Sequence, residues 1–296
     1  MRETSVSGPV VVTGANGFIG ARLVQRLSQL GVDVVRIDAA GTEGSHAVDI
    51  RSPEVADLIP ASSRVVHLAA LSTSGSCKAD PAMAASVNIV GTLNLAQAAR
   101  AAGAKQFVFA STEWVYGSSG SEEPTFEDLP IDIGSLTDTY AITKIAAEGL
   151  LKSSDLFDDL VILRFGIVYG PRSENWSAVE SLLNASSSGT VEVGSLATAR
   201  RFIFVDDVVD GILSSLGHRG RETLNLAGSR LVTLGDVITE SGAILGREVS
   251  VSETNPAAVS VRNPDPSRAM NVLGWRPEID LHEGLSRVAA HLGLGQ

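Results

Sequence analysis

Short apolar runs alternate with helix-like patterns along the first half of the chain. The runs resemble buried parallel strands, and they lie at 10–12, 34–37, 47–51, 65–70, 106–110 and 160–164. The helix-like patterns lie at 18–27, 87–102 and 140–151. This alternation predicts an α/β fold: a Rossmann-type, doubly wound parallel sheet with helices on both faces. We expect ligands to bind beyond the carboxyl ends of the strands.

The regularity declines beyond Arg164. A Gly-Pro pair at 170–171, a serine-rich stretch at 186–189 and scattered prolines interrupt the pattern. We therefore predict a Rossmann-type first domain over 1–164, which also includes 202–225. The remainder, 165–296, is predicted to be mainly a smaller, mixed α/β substrate-binding lobe.

A glycine-rich segment joins the first strand to the first helix. Gly14 would allow the tight turn, Gly17 would let the backbone approach a pyrophosphate, and Gly20 would let helix and strand pack closely. The helix N-terminus would then face the phosphates. Asp38 ends the second run, 18 residues after Gly20, where an acidic side chain binds the adenosine ribose. Because Asp38 would repel a 2′-phosphate and 39–40 contain no arginine, we predict NAD rather than NADP.

Tyr140 and Lys144 are four residues apart on a predicted helix and therefore share a face. A free tyrosine has a pKa of about 10, too high for a useful base at neutral pH. A neighbouring cation favours the phenolate and lowers that pKa. The pair therefore indicates a group that moves a proton on or off a substrate hydroxyl.

Composition narrows the possible classes of protein. The chain has 296 residues, a net charge of −11 and a pI of about 4.9, which argues against a nucleic-acid-binding surface. Cys77 is the only cysteine, which excludes an intrachain disulfide and makes a dedicated metal site improbable. No apolar run is long enough to span a membrane, so we expect a cytoplasmic protein.

No single motif identifies a protein family, but the set of motifs in this order along the chain does. It includes Gly14-x-x-Gly17-x-x-Gly20, Asp38, Asp49, His67-Leu68-Ala69-Ala70, Asn88, Ser111-Thr112, Tyr140-x-x-x-Lys144, Gly170-Pro171, Arg200-Arg201-Phe202 and Leu273-Gly274-Trp275. Nearly the whole chain resembles the extended short-chain dehydrogenase/reductases. Within them it is similar to the NAD-dependent epimerase/dehydratase group, which acts on nucleotide sugars.

The resemblance implies a role for each matching residue. Tyr140 would be the general acid/base, Lys144 would hold the ribose and lower the tyrosine pKa, and Thr112 would hydrogen-bond the reacting hydroxyl. Arg200 and Arg262 would bind the substrate diphosphate. The expected substrate-binding set is Thr112, Glu113, Tyr140, Arg200 and Arg262. The expected cofactor-binding set is Gly14, Asn16, Gly17, Phe18, Ile19, Gly20, Asp38, Asp49, Ile50, Leu68, Ala69, Ala70, Asn88, Ala110, Tyr140 and Lys144.

Several residues have two interpretations. We expect His67 to be packed and hydrogen-bonded rather than catalytic, and Arg201 to be solvated beside Arg200. Asn88 is either a direct functional group or a tie between backbone segments near the site. Glu113 is either an acid/base group or an exposed carboxylate.

Two departures from the group limit the reaction. Dehydratases place Asp-Glu after the threonine, whereas this chain has Glu113-Trp114, and an indole cannot take the proton that water elimination requires. Ile167 stands where many members have a diphosphate-binding asparagine.

We therefore expect a nucleotide-sugar epimerase that acts at C4 of a UDP- or dTDP-hexose. The alternative is an NAD-dependent dehydrogenase or reductase of a sugar, a sugar acid or another small hydroxy compound. A more remote alternative is a non-catalytic NAD-binding protein. By analogy with the group, a homodimer is expected.

Overall fold

The structure is a computed structural model that describes residues 8–174 and 176–294. The chain divides into two compact units. Unit 1 contains the described residues up to Val115, Pro130–Arg164 and Val209–Leu224. Unit 2 contains Tyr116–Leu129, Phe165–Val208 and the described residues from Asn225 onward. This division differs from the predicted boundaries at 116–129 and at 202–208, which both belong to unit 2.

Strands and helices alternate through the described chain. The strands are β1 (Val10–Thr13), β2 (Val34–Asp38), β3 (His46–Ala47), β4 (Arg64–His67), β5 (Gln106–Thr112), β6 (Leu160–Phe165), β7 (Ile167–Tyr169), β8 (Thr190–Val193), β9 (Ala199–Arg200), β10 (Phe202–Phe204), β11 (Arg221–Leu226), β12 (Val232–Thr233) and β13 (Ser250–Glu253). The helices are α1 (Phe18–Gln29), α2 (Ser74–Ala79), α3 (Pro81–Ala85), α4 (Thr92–Ala101), α5 (Thr139–Ser153), α6 (Ala178–Ser186), α7 (Val205–Ser215), α8 (Leu234–Leu245), α9 (Ser267–Leu273) and α10 (Leu281–Leu292).

Unit 1 is built on a seven-stranded sheet in the order β11-β6-β5-β4-β1-β2-β3. The strand pairs from β3 through β2, β1 and β4 to β5 are parallel. Val11, Val65 and Phe107 are fully buried in its core, which explains why the strands appear in the sequence as apolar runs. The order reverses between β1 and β4, so the carboxyl ends of these strands form the crevice in which such folds bind ligands. The predicted Rossmann-type doubly wound fold is confirmed.

Two predicted elements differ in detail. The run predicted as a strand at 47–51 leaves the sheet after Ala47, because Asp49 turns the chain: its carbonyl accepts from Ser52 N (2.8 Å) and its carboxylate from Arg51 N (2.8 Å). The helix predicted at 87–102 begins earlier, at Pro81, and contains a π-helical turn at Ser86–Gly91.

Unit 2 is mixed, as predicted for the second lobe. It contains the parallel pairs β7–β10 and β8–β13 and the antiparallel pair β9–β12. No helix in the described residues is long and apolar enough to cross a membrane.

Candidate active site

The glycine-rich turn after β1 has the backbone that the sequence requires. Gly14 has φ +68°, a left-handed conformation that favours glycine. A Cβ at Gly14 would lie 2.7 Å from Ala69 N, and one at Gly20 would lie 2.0 Å from Gly14 O. The N-cap residue of α1 is Gly17, which has no side chain to cap the helix. The structure thus brings the glycine-rich turn against Leu68–Ala70 and leaves a helix N-terminus suited to an anion.

The carboxylate of Asp38 is fixed at the end of β2. It accepts hydrogen bonds from Asn16 N (3.0 Å) and from Ala40 N (3.0 Å). The side chain of Asn16 bonds to Ala40 O (2.6 Å) and Ser45 Oγ (3.1 Å), so it ties the glycine-rich turn to the loop after β2. Asn16 therefore contributes to the site by holding its parts together.

Asp49 and Ile50, which the resemblance assigns to cofactor binding, lie at the turn after β3. Asp49 forms an ion pair with Arg51 (2.7 Å), and this hydrogen-bonded partner lowers the pKa of the Asp49 carboxyl. Ile50 is buried, and its side chain packs where a Cβ on Gly91 would lie, in the π-helical turn. Asn94 Nδ2 donates to Ile50 O (2.7 Å).

A buried hydrogen-bond chain lies behind the turn. His67 Nδ1 is 2.7 Å from Thr13 Oγ1, and His67 Nε2 is 2.9 Å from Thr92 Oγ1. Because Thr92 Oγ1 donates to Asn88 O (2.7 Å), it accepts from His67, which places the imidazole proton on Nε2. Burial lowers the pKa of His67 well below its usual value, with the charge of Lys144 adding to the effect. The prediction that His67 is packed and hydrogen-bonded is confirmed.

Asn88 joins the loop after β4 to α5. Its Oδ1 accepts from Leu71 N (2.8 Å), while its Nδ2 donates to Leu71 O (3.0 Å) and to Thr143 Oγ1 (3.0 Å). The π-helical turn directs this side chain into the interior, where it is 1% exposed. The structure favours the interpretation of Asn88 as a tie between backbone segments.

Tyr140, Lys144 and Thr112 lie on adjoining parts of unit 1. Lys144 Nζ donates to Ala110 O (2.8 Å) and lies 4.6 Å from the ring centre of Phe109 and 5.8 Å from that of Tyr140. The hydrogen bond to Ala110 O fixes α5 against the end of β5, two residues before Thr112. Thr112 Oγ1 accepts from Trp114 N (3.2 Å), which holds its hydroxyl in place. The helix itself begins at Thr139, where the Asp138 carboxylate caps Ala141 N (3.0 Å).

The two titratable groups of this motif are both shifted toward their neutral forms. Burial raises the pKa of Tyr140, and the nearby Cys77 and Asp138 add to the rise. Burial lowers the pKa of Lys144 to about 8, although Glu148 and Cys77 oppose that shift. The net pKa shift of Tyr140 is therefore upward, with burial as its largest cause. That Lys144 lowers the tyrosine pKa stays a prediction.

An ion pair that the sequence analysis missed lies one turn beyond Lys144. Glu148 accepts from Arg164 Nη2 (2.7 Å) and Nε (3.0 Å), and its side chain is fully buried. Ser111 Oγ also donates to Glu148 (2.5 Å), so the pair links α5 and β6 to the residue before Thr112. Desolvation opposes ionisation of Glu148, but the hydrogen bonds and charge of Arg164 hold its pKa below the usual value. The sequence signal was a glutamate on the Lys144 face of the helix and an arginine in an apolar strand.

Glu113 begins the 3-10 turn after β5 and is fully buried. The alternative that it is an exposed carboxylate is therefore wrong. Its side chain follows Thr112 directly, and its assignment to substrate binding stays a prediction.

Within unit 2, the predicted arginines lie on adjacent segments, Arg200 on β9 and Arg262 in the segment beside it. Arg200 Nη1 donates to Ser260 O (2.6 Å), and Arg262 Nε donates to Gly117 O (2.6 Å). The two segments are adjacent because Arg262 N donates to Ala199 O (3.1 Å). Arg201 is not solvated as expected: its side chain is 13% exposed, and its Nε donates to Asn263 Oδ1 (2.5 Å).

Comparison with known proteins identifies the family. The model of the NAD dependent epimerase/dehydratase family matches residues 10–227. The chain belongs to this family. A UDP-glucose 4-epimerase of Mycolicibacterium smegmatis is 31% identical over 306 residues, covering 94% of this chain and 96% of the relative. A UDP-glucuronate 4-epimerase of Thermodesulfobacterium geofontis is 29% identical over 316 residues, covering 95% and 94%.

Solved structures agree with this assignment. The UDP-glucose 4-epimerase of Thermus thermophilus, solved in complex with NAD, has a TM-score of 0.82 at 27% identity and covers 96% of this chain and 99% of that one. This family member is thus an NAD-dependent enzyme of the extended short-chain dehydrogenase/reductase type, and the predicted resemblance is confirmed.

The residues present in this epimerase/dehydratase family member fit NAD. The close approach of Gly14 to Ala69 leaves no room for a Cβ, and the start of α1, where the N-cap residue is Gly17, suits a pyrophosphate. The Asp38 carboxylate, held by two backbone N–H groups, could accept hydrogen bonds from ribose hydroxyls. NAD is the cofactor, as predicted.

Proposed function

We propose that this protein is an epimerase that inverts C4 of a nucleotide sugar, a UDP- or dTDP-hexose, with Tyr140 as the acid/base. The contact of Lys144 Nζ with Ala110 O (2.8 Å) carries the proposal, since it sets the Tyr140 helix against the strand end that bears Thr112. The NAD-dependent family supports it, as do the two relatives, which are 4-epimerases of UDP-glucuronate and UDP-glucose.

In this proposal the side chains of unit 1 handle the proton. Tyr140 Oη removes the proton of the C4 hydroxyl and returns it after the inverted centre forms. Thr112 orients the same substrate hydroxyl through its own O–H. The backbone N–H of Trp114 holds the Thr112 hydroxyl oxygen in place. The glycine-rich turn and Asp38 would hold NAD, which would supply reversible hydride acceptance at C4, so that no net oxidation would result.

Arg200 and Arg262 are proposed to bind the diphosphate of the substrate. Each uses some of its donors within the protein, which fixes the guanidinium before any ligand arrives. A planar, pre-oriented guanidinium suits phosphate oxygens. Binding a group remote from C4 would also position the sugar.

Net oxidation or reduction of a smaller hydroxy compound is the second candidate. It is favoured by Ile167 on β7, whose side chain has no hydrogen-bond donor for a diphosphate. Dehydration is disfavoured under either candidate because Trp114 cannot accept a proton.

A UDP-hexose carrying deuterium at C4 tests these proposals. We expect the purified protein to convert it to the C4 epimer with the label retained, without added cofactor, and to release NAD on heat denaturation, detected by mass spectrometry. Transfer of the label to free NADH would instead establish a dehydrogenase. Equal turnover by Tyr140→Phe would contradict the assignment of the base.

A homodimer is also proposed. Val90 (59% exposed), Ile142 (36%) and Leu150 (40%) are exposed apolar side chains on neighbouring helical segments of unit 1. Sedimentation should show a dimer, and Val90→Asp with Leu150→Asp should yield monomers. A monomeric wild type would contradict this.

A further inference from the structure

Arg36 lies at the predicted ribose end of the NAD site. It is two residues before Asp38 on β2, so the two side chains share one face of the strand. Its guanidinium reaches the loop that follows: Nη1 donates to Glu43 O (3.3 Å) and Nη2 to Asn16 Oδ1 (3.3 Å). Its Nε is buried and has no hydrogen-bond partner in the described part of the chain. This cation is therefore only loosely satisfied by its surroundings.

Asn16 brings the cation and the Asp38 carboxylate together. Its backbone N–H donates to Asp38 Oδ2 (3.0 Å), while its Oδ1 accepts from Arg36 Nη2 (3.3 Å). Asn16 thus contacts both charged groups, the Asp38 carboxylate through its backbone and the Arg36 guanidinium through its side chain. Two hydroxyls complete the surroundings, because Thr42 Oγ1 donates to Asn16 Oδ1 (2.9 Å) and Ser45 Oγ accepts from Asn16 Nδ2 (3.1 Å).

We propose that Arg36 is a second determinant of cofactor choice, a guanidinium that binds a 2′-phosphate on the adenosine ribose once the charge of Asp38 is removed. In the wild type, the carboxylate repels such a phosphate and balances the cation. Without it, the same place offers a guanidinium and two hydroxyls, a combination that suits a phosphate dianion. The proposal rests on NAD binding with Asp38 at the ribose, and it does not depend on the sugar reaction.

A double-mutant cycle on nucleotide-stripped protein tests the proposal. The probes are adenosine 2′,5′-bisphosphate and 5′-AMP, and the readout is the ratio of their dissociation constants by calorimetry. We expect Asp38→Asn to shift this ratio toward the bisphosphate by roughly tenfold or more. A change of that size corresponds to the gain of one charge-assisted hydrogen bond. Adding Arg36→Gln should remove that gain.

The control is Arg100→Gln in the Asp38→Asn background. Arg100 is exposed at the C-terminal end of α4, where the chain returns to the amino ends of the strands, away from Asp38. Its loss should change the ratio by less than about twofold, because distant exposed charges are screened.

Two results would overturn the proposal: Asp38→Asn gives no gain for the bisphosphate, or the gain survives Arg36→Gln. Binding of 5′-AMP reports that each variant is folded, and Asp38→Ser replaces Asp38→Asn if the latter does not bind it. Because no sugar is used, failure here is distinct from failure of the proposed epimerase activity.

Discussion

Replacing Lys144 by methionine should stabilise the ligand-free protein at neutral pH. Lys144 is 2% exposed, and its ammonium donates to Ala110 O and lies beside the rings of Phe109 and Tyr140. Its pKa is lowered from 10.5 to about 8, which corresponds to roughly 3 kcal/mol of unfavourable free energy for the charged form. Methionine removes this penalty but loses one hydrogen bond, worth about 1 kcal/mol. We expect a net gain of about 2 kcal/mol in the free energy of unfolding at pH 7.

The pH dependence makes this prediction specific. Between the folded pKa of about 8 and the unfolded value of 10.5, the unfolded wild type binds more protons, so its stability rises with pH. The advantage of Lys144→Met should therefore shrink above pH 8 and disappear by about pH 10. Urea unfolding of nucleotide-stripped protein at pH 7 and pH 10 measures it. Lys78→Met, at an exposed position on α2, is the control and should change stability by less than about 0.5 kcal/mol. A less stable Lys144→Met at pH 7, with an unchanged pH profile, would refute the reasoning.

Three further predictions concern other parts of unit 1. Tyr140→Phe should lower kcat by roughly 10²- to 10⁴-fold, the usual contribution of a general acid/base, while the NAD dissociation constant stays within about twofold; a kcat near wild type would remove Tyr140 from catalysis. Glu148→Gln should lower the free energy of unfolding by about 3–5 kcal/mol in urea titrations, since it leaves Arg164 buried without its charge partner, and a loss below about 1 kcal/mol would contradict the buried pair. Gly14→Ala should weaken NAD binding and destabilise the protein more than Gly103→Ala, because both have positive φ but only the Gly14 Cβ meets backbone, at 2.7 Å; equal effects on stability would show that the contact with Ala69 is unimportant.

The sheet and the dinucleotide turn could be predicted because local sequence determines them. Valine-rich runs specify strands that are buried on both faces, and Gly14 marks a backbone conformation that other residues rarely adopt. The turn at Asp49 ended the predicted strand early, because side-chain bonds between Asp49 and Arg51 compete with the sheet. The π-helical turn at Ser86–Gly91 depends on the tertiary contacts of Asn88, which no local pattern encodes.

The protonation states of Tyr140 and Lys144 could not be predicted from their spacing. The interval from Tyr140 to Lys144 places a cation near a phenol, but the sign of the pKa shift depends on how much water each group loses. In the folded chain, burial dominates both shifts. The place of Arg36 depends on strand geometry: it lies two positions before Asp38, so its side chain is on the same face of the strand.

Lys144 and Glu148 show that two buried charges on one helix can have opposite effects on stability. Glu148 has a bidentate arginine and the Ser111 hydroxyl, which compensate the loss of water, so removing its charge should destabilise the protein. Lys144 has one carbonyl and no carboxylate within ion-pair distance in the described residues, so removing its charge should stabilise the protein. Selection for stability alone would not favour an ionised lysine at position 144. Its charge is therefore best explained by a ligand that it contacts during function, which is the role proposed for Lys144 at the NAD ribose.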